Sequence, residues 1–346
     1  MIPERMKAAV AHDYDDVRIE EMQVPKPGPG DVLVRVKACG VCTGDVTPWY
    51  IRKKCPIVLG HEPAGEVVEV GRSVSGFSVG DRVFVHHHAP CLRCRHCQRG
   101  NYSMCPTWRA SSLNPGGMAE YLVVPKVNLD TDTLRLPDHL SWADGALVEP
   151  VACVVKAIRR SGLKRGDRVA IIGLGFIGQV MVLLARHYGA EVVIASDMVD
   201  YRLEKARQFG ADRVVDIRQE DFRQVVLEMT EGIGADVVMV GPSKPAVMQA
   251  GIDCAGKGST VLFFMAPSPD VTMEINPNQL FFNEISLVSS YSCGPDDTRQ
   301  TLNLLADGVL SAEQLVTHRF SLDQTLEACR LTAQAADSLK VLVEIP

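Results

Sequence analysis

Four cysteines within fifteen residues constrain the path of this chain more tightly than any other segment. They are Cys91, Cys94, Cys97 and Cys105, in CLRCRHCQRGNYSMC. Their spacing, C-x2-C-x2-C-x7-C, lets four thiolates wrap one tetrahedral ion, and Zn2+ is the usual occupant of such a cage. A cage of four protein sulfurs has no open coordination position, so it holds a lobe folded and does no chemistry. Two disulfides would use the same residues. However, the chain opens MIPERMKAAV, without an apolar signal region, and carries an odd total of eleven cysteines. Both features lead us to expect a reducing, cytoplasmic setting. An iron–sulfur cluster is the nearer rival, because Pro106 follows Cys105. The ferredoxin run has three residues before its last cysteine where this one has seven, and no second cysteine set follows. A structural zinc is the expected occupant.

A chain of 346 residues is long enough for two domains with proper cores. The net charge of −6 argues against a general nucleic-acid binder. The clusters Arg52, Lys53, Lys54 and Arg93, Arg95, Arg99 read as solvated faces. The run from Val169 to Ala185 is apolar enough to resemble a membrane span, but Gln179 and three glycines interrupt it. A buried strand, a turn and a helix explain it better, so no membrane partner is expected.

The first 150 residues read as many short strands, such as DVLVRVKACGV, PAGEVVEVG and GDRVFVHH, separated by Gly, Pro and Asp turns. The only helix expected there lies near Asp45–Ile51. From about Glu149 the texture changes. RVAIIG, EVVIASD, ADVVMVG and STVLFFMAP alternate with helical stretches, which implies a parallel sheet covered by helices. After about Ser290 the pattern is mixed and closes on the strand KVLVEIP.

Gly173, Gly175 and Gly178 form G-x-G-x-x-G, with Phe176 and Ile177 between the last two, after a strand and before a helix. The first glycine permits a tight turn, the second lets a pyrophosphate approach the backbone, and the third lets helix pack on strand. The helix N-terminus then offers its unpaired N–H groups to the phosphates. Asp197 follows nineteen residues after Gly178 and ends the next strand. A carboxylate there accepts hydrogen bonds from ribose hydroxyls and repels a 2′-phosphate, which favours NAD(H) over its phosphorylated counterpart. Arg202, shortly after it, is either a phosphate contact or a surface helix charge.

Outside the cage, Cys42 in GVCTGD, His61 and Glu62 in GHEPAG, and Glu149 in ALVEP supply a thiolate, an imidazole and carboxylates. A Cys, a His and a carboxylate leave a fourth zinc position open to a substrate oxygen. Singly, each has a plainer reading: a small buried cysteine, a turn histidine, a helix N-terminal carboxylate beside Pro150. GHEPAG is not H-E-x-x-H, so a zinc protease is not indicated.

Together these motifs resemble the zinc-dependent medium-chain alcohol dehydrogenases, and among them the sorbitol/threonine dehydrogenase-like members. The signature G-H-E-x2-G-x5-G is met by Gly60, His61, Glu62, Gly65 and Gly71. The cysteine lobe, GGMAEY at Gly116–Tyr121, GLGFIG and KVLVEIP follow in family order along essentially the whole chain. The resemblance implies a GroES-like, β-rich catalytic domain at about residues 1–148, completed by 291–346. A Rossmann domain, a doubly wound parallel sheet that binds NAD, would occupy 149–290. It further implies two zinc ions per chain, one structural and one catalytic. The catalytic ion would be held by Cys42, His61 and Glu149, with Glu62 as alternate ligand and Asp45 orienting His61. Lys340 would be the cation near the cofactor pyrophosphate, or a plain salt-bridge partner. Relatives are dimers or tetramers, and EISLVSSY (Glu284–Tyr291) is where the joining sheet edge would lie.

The expected reaction passes a hydride from a secondary alcohol to NAD+, giving a ketone, and runs in reverse. The alternative is a zinc-poor, quinone-reductase-like or non-catalytic nucleotide-binding member of the same fold. Two departures from the family stand out. Relatives carry Ser or Thr two residues after the zinc cysteine, and often His five after it, to pass the alcohol proton to solvent. Here those positions are Gly44 and Thr47. Water together with Glu62, Thr47 or one of His86–His88 is the expected substitute. His88 lies three before Cys91, where threonine dehydrogenases carry a histidine near substrate, although three histidines on one loop could equally be merely exposed. The second departure is Met239-Val240-Gly241, where many relatives have an acidic residue after the strand. Trp49 and Tyr50 would wall the substrate pocket or pack in the core.

Overall fold

The strand Val32–Gly40 is apolar at nearly every position and buried along almost its whole length, as expected of a strand covered on both faces. It is the hub of a seven-stranded sheet in this computed structural model, which describes residues 1–346. The sheet runs Val316–Ser321, Lys340–Glu344, Val32–Gly40, Pro63–Val70, Arg82–Val85, Thr133–Arg135, and Tyr121–Val124 also pairs with the hub. A three-stranded sheet of Asp16–Gln23, Arg5–Asp13 and Ile57–Val58 accompanies it.

Two compact units result. One comprises Met1–Ala152 with Cys293–Pro346, and the other Cys153–Ser292. The division falls inside the helix Trp142–Ser161, after Glu149, so Glu149 belongs to the β-rich unit. The helix starts seven residues before the expected change of texture and continues through Glu149-Pro150. Pro150 removes one helical hydrogen bond. The helix persists because Ala146, Leu147, Val148, Val151, Ala152 and Val154 are wholly buried around it. Glu149 therefore lies mid-helix, not at an N-terminus.

Near Cys42 the expected single helix is two short pieces, a 3-10 turn at Thr43–Val46 and a helix at Pro48–Ile51. Pro48 cannot donate to the preceding turn, so it starts a new one. A helix that the sequence pattern did not reveal, Lys126–Asp132, carries the buried Asn128 and Asp132.

In the second unit six parallel strands lie in the order Arg213–Asp216, Val192–Asp197, Arg168–Ile172, Ala235–Val240, Ala255–Phe263, Ser286–Ser289. Counted from Arg168–Ile172 this is the doubly wound order 3-2-1-4-5-6. The apolar run from Val169 resolves into a strand, the glycine turn and the helix Phe176–His187. No helix in the chain is long and apolar enough to cross a membrane.

Candidate functional site

Sheet register assembles the first metal-ligating group. At the end of the hub strand, Gly40 pairs with Leu342 on one side, and its N–H donates to the Glu62 carbonyl on the other, at 3.3 Å. The strands on either side thus bring Lys340 and Glu62 together beside Gly40, and their side chains form a buried ion pair. Lys340 also donates to the Val41 carbonyl at 3.1 Å. Burial would strip the Lys340 proton, but Glu62 and Cys42 hold its pKa above the usual lysine range.

A side chain at residue 40 has no room. A Cβ there would fall 1.7 Å from the Glu62 carboxylate and 2.6 Å from Lys340 Cε. Gly40→Ala is expected to displace the pair and lower kcat/KM by about 10–100-fold, the usual cost of disturbing the support of a metal ligand. Steady-state kinetics with zinc analysis checks this.

Cys42 caps the turn that follows it. Its Sγ accepts the Gly44 N–H at 3.4 Å, while Asp45 Oδ2 accepts the Cys42 N–H at 3.1 Å. Asp45 Oδ1 lies 3.2 Å from His61 Nδ1. A carboxylate on one ring nitrogen fixes the tautomer and leaves the other nitrogen to a ligand. Burial would raise the Asp45 carboxyl, but His61 and the Cys42 N–H hold it below its usual range.

The ligand atoms of Cys42, His61 and Glu62 lie within 4.8 Å of one another. Both Glu62 carboxylate oxygens are buried; Oε2 pairs with Lys340, and Oε1 has no hydrogen-bond partner. A buried carboxylate so placed, beside a thiol and an oriented imidazole, fits a divalent cation. Of the two carboxylates expected near this group, the alternate, Glu62, is the one whose ligand atom gathers with Cys42 and His61, while that of Glu149 gathers with His86 and Cys293. Of the two roles open to Lys340, the structure displays the salt bridge. Its ammonium is buried, paired with Glu62 and donating to the Val41 carbonyl.

The relay candidates separate clearly. Thr47 Oγ1 donates to the Thr43 carbonyl at 2.7 Å, four residues back, and closes its own turn. His88 donates from Nδ1 to the Ser111 carbonyl at 2.6 Å and packs on Trp108 at 4.1 Å between ring centroids. Burial brings its pKa down to about 4. It therefore faces the cysteine lobe. His87 is the member of the run nearest the metal group, with its ring 4.9 Å from His61 and its buried Nδ1 without a hydrogen bond. Successive side chains leaving a strand point different ways, so a one-residue difference in the run exchanges their surroundings. Tyr50 lies beside the Cys42 turn, its ring atoms 3.6 Å from where a Gly44 Cβ would be. Lys54 sits 3.7 Å over the Tyr50 ring.

The cysteine lobe closes as its spacing requires. All four sulfurs lie within 4.8 Å of one another, with Cys94 and Cys97 3.5 Å apart. The N–H groups of Arg93 and Cys94 aim at Cys91 and bring its thiol down to about 6. Tyr102 and Trp108 pack against the sulfurs, and the Tyr102 hydroxyl donates to Asp296 at 2.7 Å.

In the second unit, the helix Phe176–His187 starts after Gly175 with no side-chain cap, so its first N–H groups stay open to an anion. Gly178 packs so closely that a Cβ there would fall 2.0 Å from the Gly173 carbonyl. Asp197 Oδ2 accepts the Leu174 N–H at 2.6 Å, and Oδ1 accepts those of Met198 and Val199. The carboxylate holds the turn and keeps acceptor capacity for a further donor. Arg202 lies against Gly175, its guanidinium 3.7 Å from a Cβ built there. Gln179, which the sequence marked only as a polar break, donates to the Leu174 and Arg202 carbonyls and ties turn to helix. These features fit a dinucleotide.

Comparison with known proteins agrees with this chemistry. Residues 28–138 match the alcohol dehydrogenase GroES-like domain, and residues 177–307 match the zinc-binding dehydrogenase family. Sorbitol dehydrogenase of Bacillus subtilis is 33% identical, covering 99% of this chain and 98% of its own. The crystal structure of 2R,3R-butanediol dehydrogenase from Bacillus subtilis superposes with a TM-score of 0.86 at 31% identity, covering 98% of this chain and 99% of that one. A zinc-binding dehydrogenase of Sinorhizobium meliloti, solved with NADP, superposes with a TM-score of 0.89 at 30% identity, covering 99% and 100%. A GroES-like domain and a doubly wound parallel sheet, joined by similarity along the whole length, place this chain in the zinc-dependent medium-chain alcohol dehydrogenase family.

Proposed function

We propose that the protein oxidises a secondary alcohol of polyol, diol or hydroxy-amino acid type to a ketone with NAD+, and catalyses the reverse. The observation that carries this reading is the set Cys42, His61 and Glu62, two half-buried ligands beside a buried carboxylate whose Oε1 has no hydrogen-bond partner. A zinc ion there supplies Lewis acidity, and a nicotinamide supplies the hydride acceptor. The chain's own part is orientation. Asp45 aims His61, Lys340 and Gly40 place Glu62, and Gly44 leaves the side of Cys42 open toward Tyr50. The sorbitol and butanediol dehydrogenases among the relatives favour vicinal hydroxyls in the substrate.

The test is a spectrophotometric screen of NAD and NADP reduction with polyols, vicinal diols, threonine and simple secondary alcohols. Turnover with diols or polyols supports the reading. Activity only with quinones, and without zinc at Cys42, sinks it. Asp197 supports NAD over NADP. Asp197→Ala is expected to narrow the ratio of kcat/KM for the two cofactors by about tenfold, the effect of one lost hydrogen bond to a hydroxyl. An unchanged ratio would assign Asp197 to the turn alone.

The sheet edge also supports a homodimer or homotetramer. Ser286–Ser289 is the outermost strand of its sheet, and Phe281 and Phe282 beside it are exposed. Phe281→Glu is expected to shift the mass measured by light scattering toward the monomer.

A further inference from the structure

On the dehydrogenase reading proposed above, we infer that the alcohol substrate carries an anionic group, a carboxylate or a phosphate, and that Lys54 is the side chain that recognises it. In the sequence, Arg52-Lys53-Lys54 reads as one solvated basic face. The fold gives the three cations different surroundings. They form a 3-10 turn directly after the helix Pro48–Ile51. Arg52 turns to Asp13, which it meets at 2.9 Å, and lies over the Tyr14 ring. Lys53 stands 5.3 Å from the centre of the Trp49 ring. Lys54 comes to 3.7 Å from the centre of the Tyr50 ring, closer than either.

Tyr50 links that ammonium to the metal-ligating group. A Cβ on residue 44 would stand 3.6 Å from Cys42 Sγ and 3.6 Å from the Tyr50 ring. Residue 44 is glycine, so no side chain separates the thiol from the ring. On the other flank, the His87 ring lies 4.9 Å from that of His61, and its buried Nδ1 has no hydrogen-bond partner. The Lys54 charge reaches this flank as well. After burial and the neighbouring imidazoles, it is among the causes that lower the pKa of His87 and of His88. Cys42, Tyr50, Lys54, His87 and His61 thus neighbour one another in turn, all within the β-rich unit.

The chemistry of these groups selects an anion. An aromatic face positions an ammonium without neutralising it. Lysine is a compact point charge with three donors, which suits a carboxylate or a phosphate oxygen alike. A metal at Cys42 and His61 polarises the reacting hydroxyl, and Lys340 already answers the charge of Glu62. Neither step needs a second cation one ring away. A cation there fixes the far end of an extended substrate and so sets which hydroxyl reaches the metal. A neutral polyol offers several similar hydroxyls, and an anionic end removes that ambiguity. His87 Nδ1 is a polar atom for a hydroxyl between the two ends.

NAD+ reduction by sorbitol, gluconate and sorbitol 6-phosphate tests this, because the three share a six-carbon chain and differ in the end group. For gluconate or sorbitol 6-phosphate, kcat/KM should exceed that for sorbitol by about tenfold, mainly through KM. That is the low end for a hydrogen bond to a charged group, as befits an exposed lysine. Whichever compound gains identifies the group as carboxylate or phosphate. Lys54→Met should bring the ratio close to one, and Lys54→Arg, which keeps the charge, should retain most of it. Preference of the wild type for sorbitol or another neutral alcohol would overturn the inference and leave the dehydrogenase reading standing. A preference for the anion that survives in Lys54→Met would do the same. No NAD+ reduction with any alcohol, charged or neutral, would overturn both.

Discussion

Replacing Lys340 by alanine is expected to destabilise the β-rich unit by about 3–5 kcal/mol, the cost of leaving one member of a buried ion pair without its partner. The carboxylate left behind is that of Glu62, which is wholly buried. Lys340 is almost as deeply buried, so solvent screens neither charge. The thermal transition of this unit, followed by calorimetry, should fall by several degrees. Activity should fall as well, because Glu62 loses the charge that positions it. The double variant Lys340→Met with Glu62→Gln separates the two effects. It removes both charges and should regain most of the stability, since a neutral pair of similar volume avoids the desolvation cost. It should remain inactive and short of one zinc equivalent. If Lys340→Ala kept wild-type stability, the pair would not be the buried support described above.

Cys97→Ser is expected to remove one zinc equivalent and unfold the lobe around residues 91–110. Structural zinc sites carry an apparent binding free energy of about 10–16 kcal/mol, far more than this segment's own packing provides. The only buried apolar side chain beside the sulfurs is Trp108, with Tyr102 partly buried against them. The lobe therefore has little core without its metal. Trypsin should cleave the variant at Arg93, Arg95, Arg99 or Arg109 under conditions where the wild type resists. The Trp108 environment should become polar by fluorescence. Loss of the lobe also releases His88, which packs on Trp108 and bonds Ser111. Turnover should fall even though no cysteine of the lobe meets substrate. Retained protease resistance with one zinc missing would show that Tyr102–Asp296 and the Trp108 packing suffice.

The two folds were legible because their signals are repeated along the chain. Alternating short strands with turn residues, then strands alternating with helices, distinguish a β-rich unit from a parallel sheet. The helix Lys126–Asp132 was missed because its seven residues give too short a period to stand out. The helix Trp142–Ser161 was placed late because Pro150 reads as a break, while burial of its apolar face overrides that preference.

Some features needed only neighbouring residues. The four-cysteine cage spans fifteen positions, and the turn Gly173–Gly178 spans six, so local spacing determined both. The Asp45 contact to Cys42 lies within one turn in the same way. The metal group, the placement of Lys340 and the neighbours of Glu149 were decided elsewhere. Lys340 reaches Val41 across 299 positions, and Cys293 reaches His86 across 207. Those contacts depend on which strand lies beside the hub and in what register, and on which way each side chain leaves its backbone. Spacing along one chain carries no record of either. The sequence supplied thiols, imidazoles and carboxylates able to bind metal, and the tertiary structure decided which ligand atoms gather, Glu62 with Cys42 and His61 and Glu149 with His86 and Cys293.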